Sequence, residues 1–432
     1  MSELIRNLSL RKKKFNIAMG GLDRYGFEQA VTNELIDNPA VTASIAGFSA
    51  GARFFRSGRI EASFEVSYEP VPKGAPVFQC RDQFELDTAV STALRLHLPD
   101  IIILIDNRSR KVDPNRAVSL YRKAQEFVGE ELQTHQSNST GFGTRALFDG
   151  AIIVLKIHND YFDSARDVNA MSCLLAIQAD AIVDKTRGNT EQTLNEIMYW
   201  MRENVVYKKT RRTSDHSAVG LIKNHTAVCQ GIAAYACQLL NYCGIDARYV
   251  SGQGFSGTVW DSHGWNMVKV NGVWRHIDYT FELGGHSASI IKPAKEFCRD
   301  HRWDRNIYSP ERSDRLVNSR NTLRRSVLTF MPDRHCFSIN GCIVDTSHFI
   351  QMCLVRSGRV MVAPAAVAAM LGGCYVQDRR MLHLYIRRRH YAVPNSSLLK
   401  LGGVLYTDMI NLKDMDFRIM PENGFVSIQY QL

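Results

Sequence analysis

The chain has 432 residues, 45% of them hydrophobic and 22% charged, and a formal net charge of +10. This composition excludes a disordered chain and supplies apolar material for several cores, so the length predicts two to four domains. No run of about 18 apolar residues occurs, which excludes a membrane-spanning helix, and a positive excess spread over so long a chain reads as solvated surface charge.

In chain order, Met1-Ser-Glu-Leu-Ile-Arg6 leads into the basic run Arg11–Lys14 without the apolar segment of a secretory signal. That predicts a cytoplasmic protein; a start site further upstream would allow the cell surface instead. Gly51, Arg53 and Gly58 recur at the same spacing as Gly143, Arg145 and Gly150. Each set reads as two strands around a glycine turn. Each is preceded by a helix-period stretch (Tyr25–Leu35, Arg116–Leu132) and, before that, by an apolar run (Phe15–Met19, Ile101–Ile105). Two small β-α-β-β units are therefore expected within residues 1–158.

From Ser164 the pattern turns helical. Ser164–Ile182 and Thr190–Val205 carry apolar residues at helical spacing, with Asn189-Thr-Glu-Gln192 as a capping signal for the second. A basic linker, Lys208–Asp215, precedes a third helix over 228–243. Strands are expected at Ala247–Ser251, Asn266–Val270 and Val273–Tyr279. The charged stretch 299–325 reads as a linker or an exposed helix. The last hundred residues are strand-rich, with one apolar helix at Pro364–Leu371 and a basic run, Arg387–His390. The expected division is 1–158, a catalytic domain over 159–300, a linker over 301–330 and a final domain over 331–432.

Three short patterns carry chemistry. They are His225-Thr-Ala-Val-Cys229-Gln230-Gly231, then Asp261-Ser-His263-Gly-Trp265-Asn266, then His276-Ile-Asp278-Tyr-Thr280. Cys229 opens an apolar-faced helix, where unpaired backbone N–H groups and the helix dipole favour a thiolate. The same groups suit an oxyanion on an attacked carbonyl. Gly231 leaves room for a substrate, and His225 and Gln230 are candidates for the oxyanion environment. Asn271-Gly272 predicts a two-residue hairpin turn. The resulting register pairs Trp265 with Asp278, which puts Asp278 on the face of His263 as its diagonal neighbour. His276 shares the face of Asp278 and is the rival imidazole. Trp265 and Tyr279 read as packing residues, with Trp265 also kept as a substrate-site candidate.

Other motifs fail on context. Gly252-Gln-Gly254-Phe-Ser-Gly257 is a GxGxxG string, but a strand and not a helix follows it, so a dinucleotide site is rejected in favour of a loop near the thiol. The ten cysteines include no CxxC pair, which removes zinc ribbons and thioredoxin chemistry and suggests reduced thiols. His383, His390 and Cys374 lack a metal-ligand spacing. No metal and no cofactor are expected.

The three patterns resemble the transglutaminase-like superfamily in its bacterial form, over roughly residues 160–300. The helix ending in Asn204-Val-Val-Tyr207 resembles that domain's lead-in. The resemblance implies an α+β fold with a papain-like transglutaminase core, with Cys229 as nucleophile, His263 as base and Asp278 as orienter. The core is preceded by the two β-α-β-β units and followed by a β-rich α+β domain. In that last domain, Phe337–Cys342 and Arg359–Gly373 resemble the module named after the N-terminal part of copper amine oxidases, which is not implied to bind copper.

A thiol, an imidazole and a carboxylate supply covalent acyl transfer. The first expectation is a cysteine peptidase or amidohydrolase acting on a peptide or protein. The second is a protein cross-linking acyltransferase using the same acyl-enzyme. The third is a non-catalytic scaffold binding peptide or an anionic cell-wall polymer. Nucleic acid is set aside as a partner.

Overall fold

The computed structural model describes residues 2–430 apart from 110, 131, 133–136, 209–211, 286–289, 325–326, 332–334, 348, 350, 387–388, 413–414, 416 and 423–424. Part of the basic linker 208–215 and of the run 387–390 thus lies outside the described residues. Among the described residues, no helix is long and apolar enough to cross a membrane. All ten cysteines are free thiols.

Two β-α-β-β units open the chain. The first consists of strand Lys14–Gly20, helix Arg24–Asp37 and the hairpin Ile45–Phe54 with Arg59–Tyr68. The second consists of strand Asp100–Asp106, helix Ala117–Gly129 and the hairpin Ser137–Leu147 with Ile152–Tyr161. In each, the last strand lies between the other two and antiparallel to both. Their surroundings differ, and the sequence shows why. Arg59–Tyr68 buries Ile60, Ala62, Phe64 and Val66 and exposes the residues between, because only one face is covered. Asp100–Asp106 is a continuous apolar run because both faces are covered. Ile101, Ile103 and Ile105 enter one core, and Ile102 and Leu104 the other.

That second unit belongs to a nine-stranded sheet. Val77–Cys80 lies parallel to Asp100–Asp106, and Cys342–Asp345 pairs antiparallel with Val77–Cys80. Through it, Cys336–Ile339, Val327–Met331 and the final hairpin, Phe417–Glu422 with Phe425–Tyr430, join the same sheet. The β-rich C-terminal region and the N-terminal region thus share one sheet across the expected boundaries at 158 and 331.

The helix-and-sheet core expected over 159–300 lies between them in the chain. Helices Ala165–Thr186 and Thr190–Asn204 start where the caps predict, with Ser164 Oγ accepting from Asp167 N and Asn189 Oδ1 from Gln192 N. They pack with helix Cys229–Tyr242 in one core. A five-stranded sheet follows, in the order Ile291–Lys292, Val273–Ile277, Trp260–Val270, Ala247–Phe255 and His301–Arg302. The stretch expected as a linker from residue 301 therefore begins inside this sheet, and then forms helix Pro310–Arg324.

A buried ion cluster joins the core to the second N-terminal unit. Arg248 donates from Nε to Glu130 Oε1 at 2.7 Å, and Arg320 from Nη2 to Glu130 Oε2 at 2.9 Å. The two arginine side chains are 2% and 3% exposed. Neutralising the one acid would leave two guanidinium groups in a dry site. Glu130→Gln is expected to cost about 3 kcal/mol, seen as a lower denaturation midpoint; an unchanged midpoint would show that the cluster is not load-sharing.

Candidate active site

Cys229 is the first residue of its helix and follows Val228, which offers no side-chain cap. The thiol therefore sits where helix N–H groups have no side-chain acceptor of their own. His263 lies on strand Trp260–Val270, and the register is the expected one: Asn266 pairs with Ile277, Met267 with His276 and Val270 with Val273. Asn271 and Gly272 both have positive φ, 50° and 78°, as the mirror-image turn requires. The strand ends at Ile277, and Asp278 becomes the N-cap of helix Tyr279–Leu283. Its Oδ1 accepts from Thr280 N at 2.9 Å and Phe281 N at 3.2 Å. Its Oδ2 accepts from His263 Nε2 at 2.6 Å and from His301 Nε2 at 2.9 Å. With Nε2 engaged, Nδ1 is the His263 nitrogen available to a thiol.

The electrostatics follow from burial opposed by pairing. Burial raises the Cys229 thiol, but hydrogen bonding to His263 and to the Gly264 backbone outweighs it, and the net pKa is lowered. Burial disfavours protonation of His263, but its bonds to Asp278 and Cys229 outweigh it and raise the pKa to about 10. Burial likewise pushes Asp278 up, and the two histidines more than reverse this, leaving it well below the usual carboxylate range. Together these shifts favour a thiolate beside an imidazolium.

The remaining expected residues part company. Gln230 lines the cleft at the thiol, its Oε1 accepting from His216 Nδ1 at 3.1 Å. His225 is exposed and its Nδ1 donates to Asn204 O at 3.0 Å, away from that cleft. Gly231 is buried, and the room it leaves is taken by the chain itself: a β-carbon there would come within 2.7 Å of Asp215 O. Trp265 is 1% exposed and packs, donating from Nε1 to His276 Nδ1 at 3.1 Å. His276 is the acceptor of that bond, and burial first, then the charges of His301 and Arg305, lower its pKa to about 3. The rival imidazole is thus neutral and turned to tryptophan. The GxGxxG string runs through the end of strand Ala247–Phe255 into the cleft rim.

His301 was not legible as a site residue, since a two-residue strand is too short to show a period. The adjacent acid–imidazole pair Asp300-His301 was the available signal. Atoms of His263, Asp278 and His301 lie within 4.8 Å of one another, a spacing a metal ion could use. They already satisfy each other by hydrogen bonds, which a cation would have to break.

A cleft of about 1070 Å³ opens over Cys229 and His263. Its lining includes Arg202, Val206, Tyr207, Phe255, Gly257 and Val259; Tyr249 and Gly264 lie near the thiol. Residues 178–279 match the family model of the transglutaminase-like superfamily. The chain carries a transglutaminase-like superfamily domain. Among solved structures it is similar to one described as a TGase, at 11% identity and a TM-score of 0.26, covering 49% of this chain and 56% of that one. It is also similar to a candidate cysteine protease from Cytophaga hutchinsonii, at 15% identity and a TM-score of 0.22, covering 55% of this chain and 65% of that one. The chain thus spans less than two thirds of either structure. No curated protein matches it.

Because folding raises the His263 pKa from 6.5 to about 10, the associated stability is complete below the ordinary imidazole value and fades as pH rises through the raised one. The gap in melting temperature between wild type and His263→Gln should therefore be widest near neutrality and below, and should close as pH approaches 10. A gap independent of pH would contradict the pairing.

Proposed function

We propose that the transglutaminase-like domain is a thiol enzyme acting on peptide or amide bonds of a peptide or protein substrate. Cys229 attacks the carbonyl carbon and forms a thioester acyl-enzyme. His263 gives its proton to the departing amine nitrogen, then takes one from water as that water attacks the thioester. Asp278 holds the ring in the tautomer and orientation this needs. Backbone N–H groups at the start of the cysteine helix are the donors available to the oxyanion.

The observation that carries this reading is the 2.6 Å bond between His263 Nε2 and Asp278 Oδ2 at the cleft that Cys229 lines. It leaves the other imidazole nitrogen for the sulfur. The breadth of the cleft favours water as acceptor, and so a hydrolase of the cysteine peptidase or amidohydrolase kind. We also read residues 331–432 as the copper amine oxidase N-terminal-like module. Its strand-then-helix signature corresponds to strand Arg359–Val362 followed by helix Pro364–Met370.

A thiol probe at mildly acidic pH should label Cys229 ahead of the other cysteines. Cys229→Ala should abolish turnover of a peptide or amide library with the fold intact, and Asp278→Asn should leave a weaker enzyme, down by about 10⁴-fold at most. Activity should rise as the thiol ionises below its ordinary range and fall as His263 loses its proton near pH 10. Wild-type turnover by Cys229→Ala would refute the mechanism. Incorporation of a primary amine into a glutamine-containing protein, in preference to hydrolysis, would move the assignment to a cross-linker.

A further inference from the structure

Among the described residues, the Asp278 carboxylate accepts four hydrogen bonds, and one of its two side-chain donors, His301, has no part in the chemistry just described. His301 gives its Nε2 proton to Asp278 Oδ2 at 2.9 Å, sharing that oxygen with His263. Its other nitrogen, Nδ1, faces Asp300 Oδ1 at 2.6 Å. The ring thus bridges two carboxyl groups, one at each nitrogen. The ring is 1% exposed. It stacks on Phe297 at 3.8 Å between ring centroids and lies against Trp265 and Phe281 at 4.9 and 4.8 Å. Among the described residues, Asp278 and Asp300 bond to it, the His263 ring lies 5.5 Å away, and the neutral His276 lies on the tryptophan side.

Packing alone does not account for this residue. An apolar side chain would fill the same aromatic box without the cost of burying a polar ring. The backbone is also arranged to bring it in. Strand His301–Arg302 pairs with Gln253 and Gly254. A β-carbon at residue 252 would come within 2.2 Å of Arg302 O, and one at 254 within 3.0 Å of the His263 ring. The first two glycines of the GxGxxG string thus let this strand close down beside the catalytic imidazole. Asp300 lies in the cleft wall, so a line of bonded groups runs from the cleft through His301 and Asp278 back to His263.

We propose that His301 is a positioning residue: held by Asp300, it fixes the free oxygen of Asp278 so that His263 stays aimed at Cys229. This rests on the thiol-enzyme reading above. The Asp278 backbone bonds anchor only Oδ1. Without His301, Oδ2 is held by its catalytic partner alone, the imidazolium is supported less well and the thiolate loses its counter-ion.

The test is the rate at which iodoacetamide alkylates Cys229 in the full chain, followed by peptide mapping from pH 4 to 10, with circular dichroism to check folding. Wild type should show an acid midpoint below that of an ordinary thiol. His301→Phe should move the midpoint up by about one unit, roughly tenfold slower labelling at pH 6. His301→Gln, whose amide nitrogen can replace Nε2, should restore the rate to within about twofold. If the phenylalanine variant does not fold, Asp300→Asn should shift the midpoint the same way by a smaller amount. An unshifted midpoint in folded His301→Phe or in Asp300→Asn, or a glutamine variant as impaired as the phenylalanine one, would overturn the positioning role while leaving the thiol enzyme standing. A wild-type Cys229 that titrates as an ordinary thiol would overturn both.

Discussion

The site depends on one carboxylate. Asp278 follows the end of a strand and caps the start of a helix, so its two oxygens face different tasks. Oδ1 is spent on the helix N-terminus, and Oδ2 is turned toward two imidazoles. A carboxylate so fully satisfied stays ionised although it is 3% exposed. Its charge then sets that of His263, and through His263 that of the thiol. Turn, cap, strand register and helix tip all shape the site, because each places one member of this set of proton-sharing groups.

Much of this arrangement is legible in the sequence. Asn271-Gly272 permits one turn geometry, and that turn dictates which residue of one strand faces which of the other, so His263 and Asp278 share a face by counting. Cys229 could be assigned to a helix tip because apolar residues at helical spacing begin just beyond it. Ser164 and Asn189 announced their helices for the same local reason. The repeated β-α-β-β units were readable because glycine and arginine recur at fixed positions around each hairpin.

What escaped was non-local. His301 sits on a two-residue strand that pairs with Gln253 and Gly254, nearly fifty residues earlier in the chain, and that Gly252 leaves room for. Gly231 looked like space for substrate because a sequence does not say which neighbour fills a gap; here it is the backbone at Asp215. His225 is near Cys229 in sequence, but the turn before the cysteine helix directs its ring to Asn204. The contribution of C-terminal strands to an N-terminal sheet had no signature within either segment, since Val77–Cys80 and Cys342–Asp345 each read as an ordinary short strand.

That shared sheet constrains how the protein is made. Cys80 and Cys342 come together although they lie 262 positions apart in the chain. A ribosome delivering the polypeptide from its N-terminus must therefore expose the open edge of Val77–Cys80 until the whole transglutaminase-like domain has emerged. Closing so long a loop is slow, and an unpaired edge is a template for wrong partners. The transglutaminase-like domain is thus framed by a sheet completed only late in synthesis, and nascent chains that stall before residue 342 retain a sticky flank.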